Sequence, residues 1–222
     1  MKILHDFLLI FLPLFVVVDP AGTIPVYLAL TSHRSLEQRR RIAAHASSVA
    51  AVTGVLFVIL GQGILSFLGL RFEDFQIAGG ILLAVLAIID LLIPGKPAVD
   101  EKGPPERGGG GAVGIVPLAV PLIVGPATMT TSLLLVNTYS KPYDLQFGAP
   151  LGQIMVMAMV CVALLLNLLI LFGAMWYSNR LVELVGRSTL AVVNKIVMIV
   201  LAAIAVSLIR QGIVSIVLDL RR

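Results

Sequence analysis

The sequence predicts an all-α membrane protein: six transmembrane helices arranged as two inverted three-helix repeats, with helices 1 and 4 broken in mid-membrane. Three observations predict it. Of 222 residues, 59% are hydrophobic and only 13% charged, with a mean hydropathy of +1.03; soluble domains sit nearer half apolar and a quarter charged. The apolar residues fall into six long runs. Two of those runs, one in each half of the chain, carry a matching Pro-Gly cluster near the middle.

A helix needs about 20 mostly apolar residues to cross the bilayer core. Span one covers residues 4–30, with Asp19 inside it. Met-Lys before an apolar run also fits a cleaved signal peptide. Retention is expected, because apolar character resumes after Asp19-Pro20 and no Ala-x-Ala cleavage site is evident. Span two, 42–69, has no Asp, Glu, Lys or Arg, and its Ala46, Ala50 and Gly54 form a packing stripe of small residues. Span three, 75–93, has Asp90 near its end, close enough to Pro94 to reach the interface. Residues 95–111 are rich in Gly, Pro and mixed charge and read as a flexible loop. Span four covers 112–138. Span five, 150–177, contains Asn167, suited to a bond across helices, and span six, 190–217, carries Lys195 and Arg210, whose long stems can snorkel. The runs are too long for β-barrel strands and do not alternate.

The repeat follows from the clusters. Asp19-Pro20-Ala21 superposes on Gly125-Pro126-Ala127 at an offset of 106, and the later spans follow in the same order. Residues 1–94 and 112–222 are thus two repeats of one integrated membrane domain, joined by 95–111. Three spans per repeat is an odd number, so the second copy is inserted upside down.

Proline removes a backbone donor and clashes with the preceding turn. An unpaired backbone group in hydrocarbon costs several kcal/mol, so a break is tolerated only inside protein or a wet cavity. Paired broken spans in inverted halves are the best sequence pointer to a transporter site. Asp19 with Pro20 reads as N-cap and first helical residue, and Gly125-Pro126 reads likewise. Two half-helix N-termini then offer N–H groups and partial positive charge to a carboxylate. An acid at mid-membrane is usually functional, so Asp19 is assigned to an ammonium group or a coupling ion.

The predicted substrate site comprises Asp19, Pro20, Ala21, Gly22, Thr23, Gly125, Pro126, Ala127, Thr128 and Thr131, with Thr130 as a further hydroxyl. Gln76, Gly79, Gly80, Asn194 and Lys195, at corresponding starts of spans three and six, form a second tier; for Gly79-Gly80 the simpler reading is close helix packing.

Charge sets orientation. Loops after spans one, three and five carry nine basic residues: Arg34, Arg39, Arg40, Arg41, Lys96, Lys102, Arg107, Arg180 and Arg187. The opposite side carries five, Lys2, Arg71, Lys141, Arg221 and Arg222, or six with Arg210. Both termini are expected outside. The net charge of +4 lies in these gaps and not on one soluble face, which argues against nucleic acid. The single cysteine, Cys161, excludes a disulfide framework, and His5, His33 and His45 are scattered, so no metal site is expected.

At these residues the chain resembles the MarC family of membrane proteins over nearly its whole length. The resemblance rests on Asp19-Pro20-Ala21-Gly22-Thr23-Ile24-Pro25, the family's Asn/Asp-Pro-x-Gly-x-x-Pro. It continues in Arg39-Arg40-Arg41-Ile42-Ala43, Ala78-Gly79-Gly80-Ile81-Leu82-Leu83, the Pro117 to Pro126 stretch, Leu201-Ala202-Ala203-Ile204-Ala205-Val206 and Gly212-Ile213. It implies a six-span inner-membrane protein related to amino-acid exporters of the lysine-exporter superfamily. Some similar proteins are described as transporters of glycine, alanine or serine, and others carry an old label of multiple antibiotic resistance. Ala127 and Met198 stand where the family usually has glycine, and their extra volume narrows a site or a helix contact.

The expected function is secondary transport of a small neutral amino acid by alternating access, coupled to protons or sodium through Asp19. The expected location is the plasma membrane, the inner one where a cell has two. No ATP-binding motif, cofactor motif or catalytic constellation is present, so an enzyme is not expected. An efflux protein for drugs or other small metabolites is the second reading. A wide aromatic-lined cavity would carry it, but aromatic residues make up only 6%. A passive scaffold is the third, and assembly into an oligomer is compatible with the sequence.

Overall fold

A computed structural model describes residues 2–31, 34–92 and 124–220. All regular structure among them is helical. In chain order the helices are α1 (Lys2–Val18), α2 (Pro20–Leu30), α3 (Leu36–Phe67), α4 (Phe72–Leu92), α5 (Pro126–Phe147), α6 (Leu151–Trp176), α7 (Ser178–Val185) and α8 (Arg187–Leu220). The loop predicted at 95–111 and the first half of predicted span four, 112–123, lie outside the described residues.

Five stretches are long and apolar enough to cross a membrane: Ile3–Ile24, Leu36–Phe67, Phe72–Ile89, Leu151–Trp176 and Lys195–Asp219. Five of the six predicted spans are thus present among the described residues. Span four is described only from residue 124 on, and its helical part, α5, carries Thr128, Thr130, Thr131, Ser132 and Asn137.

Helix α3 begins at Leu36, six residues before the predicted start of span two. A capping box explains the difference. The Ser35 hydroxyl accepts from Gln38 N at 3.3 Å, and Ser35 N donates to Gln38 Oε1 at 3.1 Å. The i,i+4 pair Glu37–Arg41, at 2.7 Å, lies in the same turns. At 32 residues the helix is about 48 Å long and exceeds a hydrocarbon core of about 30 Å, so the charged first turns fit beyond it.

The packing is small-in, large-out. Helix α3 buries Ala43, Ala46, Ala50, Gly54, Val58, Gly61 and Leu65 along one stripe, while Val52, Leu56, Ile59 and Leu60 are exposed. In water such exposure costs free energy; in lipid it does not, and small residues let helices approach closely. A Cβ on Gly54 would stand 2.7 Å from Leu164 Cδ2 of α6. Asn167 of α6 reaches across to α1, its Nδ2 donating to the Phe11 carbonyl at 3.3 Å and to Ala163 O at 2.9 Å.

Two apolar cores result. The first joins α1, α3, α5 and α6 through Leu14, Ala50, Val136, Val160 and Leu164, with Tyr27 of α2 at its edge. The second lies between α4 and α8, which make the most extensive helix pair. Glycines set that contact: a Cβ on Gly80 would meet Ile209 Cγ1 at 2.7 Å and the Ala205 carbonyl at 2.9 Å, and one on Gly212 would meet Ile77 Cγ1 at 2.6 Å. Arg71 closes the end of the pair by bonding Asp219 and, at 3.4 Å, Glu73. The hydrogen bond that Arg71 donates to Asp219 is the main reason its guanidinium is held above its ordinary pKa. The short amphipathic α7 is not foreseen by the sequence reading, and Gly186, at φ 80°, turns the chain from it into α8.

Candidate functional site

Helix α1 ends at Val18 and α2 begins at Pro20. Between them Asp19 has a φ of 46°, a left-handed value that Asp tolerates better than most residues. Asp19 N donates to Phe15 O at 3.2 Å and Thr23 N donates to Asp19 O at 3.0 Å, so hydrogen bonding runs up to and away from the residue. Pro20 has no N–H for the Val16 carbonyl. Gly22 N donates to Asp19 Oδ1 at 3.0 Å, so the carboxylate sits over the first turn of α2 in capping geometry. Pro20 and Thr23 are buried; Ala21 and Gly22 are half-buried.

The other cluster is built differently. Gly125 is extended, φ −88° and ψ −174°, with Pro126 in the first turn of α5 and no side-chain cap. Met129 N donates to Gly125 O at 3.1 Å. Ala127, Thr128, Thr130 and Thr131 are all buried. Ser132 Oγ donates to Thr128 O at 2.7 Å, while Thr131 Oγ1, on a residue 2% exposed, has no hydrogen-bond partner.

Both clusters meet the α4–α8 pair. Val17, two residues before Asp19, and Ala127, two after Gly125, belong to the second core with Leu83, Ala87, Met198, Leu201 and Ala205. Ala127 and Met198 therefore share one core. Gly79 and Gly80 split their tasks: a Cβ on Gly79 would collide with the Thr130 side chain, while Gly80 faces α8. Close packing thus accounts for both. Gln76, one turn before Gly79, is 3% exposed and its amide NH2 has no partner. Lys195 is exposed on α8 and is not drawn into this group. The side chains of Pro126, Asn194 and Asp90 lie outside the described residues.

Sequence reasoning passes over Asp6. It is buried between α1 and α5, accepting from Tyr143 Oη at 3.0 Å, with His5 Nδ1 at 3.5 Å. The signal is an acid near the start of an apolar run, but its partner is 137 positions away. The opposite end of the bundle is tied by Tyr27 Oη to Arg39 O at 2.8 Å and by Arg39 Nε to Thr31 O at 2.8 Å. Arg40 lies 4.6 Å over the Trp176 ring there.

Long apolar helices with small residues inward and large ones outward, folded around buried hydroxyls, define a multi-pass integral membrane protein. Residues 4–217 match the MarC family integral membrane proteins, and the chain belongs to that family. It is 31% identical over 203 residues to a UPF0056 membrane protein of Archaeoglobus fulgidus, covering 91% of this chain and 89% of the relative. It is 26% identical over 216 residues to a UPF0056 membrane protein of Pyrococcus abyssi, covering 96% of each. With the UPF0056 inner membrane protein YhgN of Escherichia coli K12 it shares 29% identity over 200 residues, 90% of this chain and 92% of that one. No solved structure matches the chain.

Proposed function

We propose that the protein is a secondary transporter of small neutral amino acids, of the size of glycine, alanine or serine. It works by alternating access between two inverted three-helix repeats. The observation that carries the reading is that two helices start at matched prolines, Pro20 and Pro126, with Val17 and Ala127 flanking these starts in one shared core against α4 and α8.

The helix contacts support the repeat. Exchange of the halves maps α1–α2 onto α5, α3 onto α6 and α4 onto α8. The α4–α8, α3–α6 and α1–α5 contacts then map onto themselves. The α1–α6 contact maps onto α5–α3, and α4–α5 maps onto α8 with α1 and α2. Two departures stand among the described residues: the α5–α6 packing has no extensive counterpart between α1–α2 and α3, and α1–α2 packs on α6 more extensively than α5 packs on α3.

The two starts differ in charge, and that suits a zwitterion. At α2 the Asp19 carboxylate already occupies the helix N-terminus, so the first break is the negative side of the site. Its carboxylate and the Val16 carbonyl that Pro20 leaves without a helix donor suit an ammonium group or a coupling proton or sodium ion. At α5 Gly125 brings no side chain, and the positive end of that helix dipole suits the substrate carboxylate. Thr23, Thr128 and Thr131 supply hydroxyls. The name of the Escherichia coli relative supports an inner-membrane location, and the excess of basic residues in three loops supports both termini outside.

A thermal-shift panel of amino acids on detergent-purified protein tests binding. Uptake of labelled glycine or alanine into proteoliposomes, with imposed pH or sodium gradients, tests transport. Stabilisation by a small neutral amino acid, lost in Asp19→Asn and Thr128→Val, is the expected result. A panel in which no amino acid moves the melting temperature overturns the reading, and uptake indifferent to both gradients overturns coupling.

A further inference from the structure

Two adjoining hollows flank the C-terminal half of α3. The larger, about 310 Å³, lies between α3, α5 and α6, and its polar lining is Gln62, Ser66 and Gln153. The smaller, about 160 Å³, lies between α3, α4 and α5, with Gln62, Ser66, Phe72 and Asn137 in its wall. Gln62, Ser66 and Leu133 line both, so they form one groove. Gln153 Nε2 donates to Gln62 Oε1 at 3.4 Å across the larger part.

The smaller hollow reaches the start of α4, where Phe72 lines it together with Leu133 and Asn137 of α5. Two turns further along α4, Gly79 abuts Thr130 of α5. The helices run antiparallel here, and the turn of α4 between these two levels holds Gln76. Its buried amide NH2 is without a partner. A buried donor with no acceptor is unfavourable in a folded protein and calls for an explanation. An NH2 group only donates, so what answers it is an acceptor. No Asp, Glu, Lys or Arg lines either hollow, so a solute with net charge meets no counter-ion there.

We propose that this groove is the entry to the central site from the end of the bundle where α3 finishes and α4 begins. Gln76 is the binding residue at its inner end, donating to the carboxylate of a small amino acid before the solute reaches the paired helix starts. This rests on the transporter reading above.

Alanine is the probe, with full-length protein in detergent. Gln76→Leu removes the unanswered donor, so the solute-free variant melts at or above the wild-type temperature. It also binds alanine about tenfold more weakly, the loss expected for one hydrogen bond to a charged group. A purely structural glutamine predicts the opposite pattern: a lower melting temperature and unchanged alanine affinity, and that result overturns the proposal. A second measurement does not depend on that variant folding. In a Cys161→Ser background, Asn137→Cys is labelled with a water-soluble thiol reagent. Saturating alanine is expected to slow the labelling; a rate that alanine leaves unchanged overturns the entry route. Wild-type protein that binds alanine while either test fails sinks only the role of the groove. Wild-type protein that binds no small amino acid sinks the transporter reading itself.

Discussion

At the residue scale, the chain places polar groups where hydrocarbon penalises error, and each can be tested by removing one atom group. Tyr143→Phe strips Asp6 Oδ2 of its tyrosine donor, with an expected loss of about 1–3 kcal/mol in unfolding experiments in detergent. Asp6→Asn keeps an acceptor for Tyr143 Oη and is expected to cost less. Thr131→Val exchanges an unpartnered hydroxyl for a methyl of the same shape. The empty protein is expected to melt no lower than wild type, and stabilisation by alanine is expected to shrink; a full solute response would remove Thr131 from the site. The residues around the two clusters were legible because proline acts locally: it deletes a donor whatever the rest of the chain does. The Asp6–Tyr143 bond was not legible, because its partners are far apart in sequence and meet only through the packing of α1 on α5.

At the element scale, glycines and caps decide where helices start and how closely they approach. Gly80→Ala pushes a methyl against the Ala205 carbonyl and Ile209. Overpacking of this kind costs about 1–3 kcal/mol, and a lowered melting temperature is the expected readout. Gly63→Ala is the control: nothing stands within 4 Å of its Cβ, and the substitution should leave stability unchanged or slightly raised. Five of the six spans expected from sequence stand among the described residues, α7 is unforeseen, and some ends are misplaced. The sequence reading starts span two at the last charge, but Ser35 and Gln38 cap the helix earlier; that Ser-x-x-Gln spacing is a signal available in the sequence alone. It closes span four at residue 138, whereas α5 runs to Phe147 through Pro142. Ser140 Oγ, donating to Val136 O at 2.6 Å, shows how side chains there share the backbone's acceptors. Thr128, Thr130, Thr131 and Ser132 of α5 are buried inside the bundle, which keeps their hydroxyls away from lipid.

At the scale of the whole molecule, charge bias and packing make separate statements. Composition made the membrane class legible because lipid accepts large apolar side chains on the outside of a bundle, and the exposed faces of α3 and α6 show that pattern. Orientation rests on the basic loops. In the Cys161→Ser background, a cysteine replacing Arg71 is expected to react with an impermeant reagent in intact cells and one replacing Arg34 only after permeabilisation; the reverse result would invert the topology. The partition into two cores was beyond the sequence, because it depends on which apolar face meets which. That partition sets apart the α4–α8 pair, which meets α1 at Val17 and α5 at Ala127.

The carboxylate that caps α2 carries one more consequence. Asp19 holds Gly22 N through Oδ1, an atom that a proton or cation at this position can also use. An ion that takes Oδ1 weakens the bond to the Gly22 amide, and occupancy becomes visible in the backbone. Deuterium should enter the Gly22 amide faster when the ion is bound than when it is absent. A membrane carrier would then report its own loading through the exchange rate of a single peptide hydrogen.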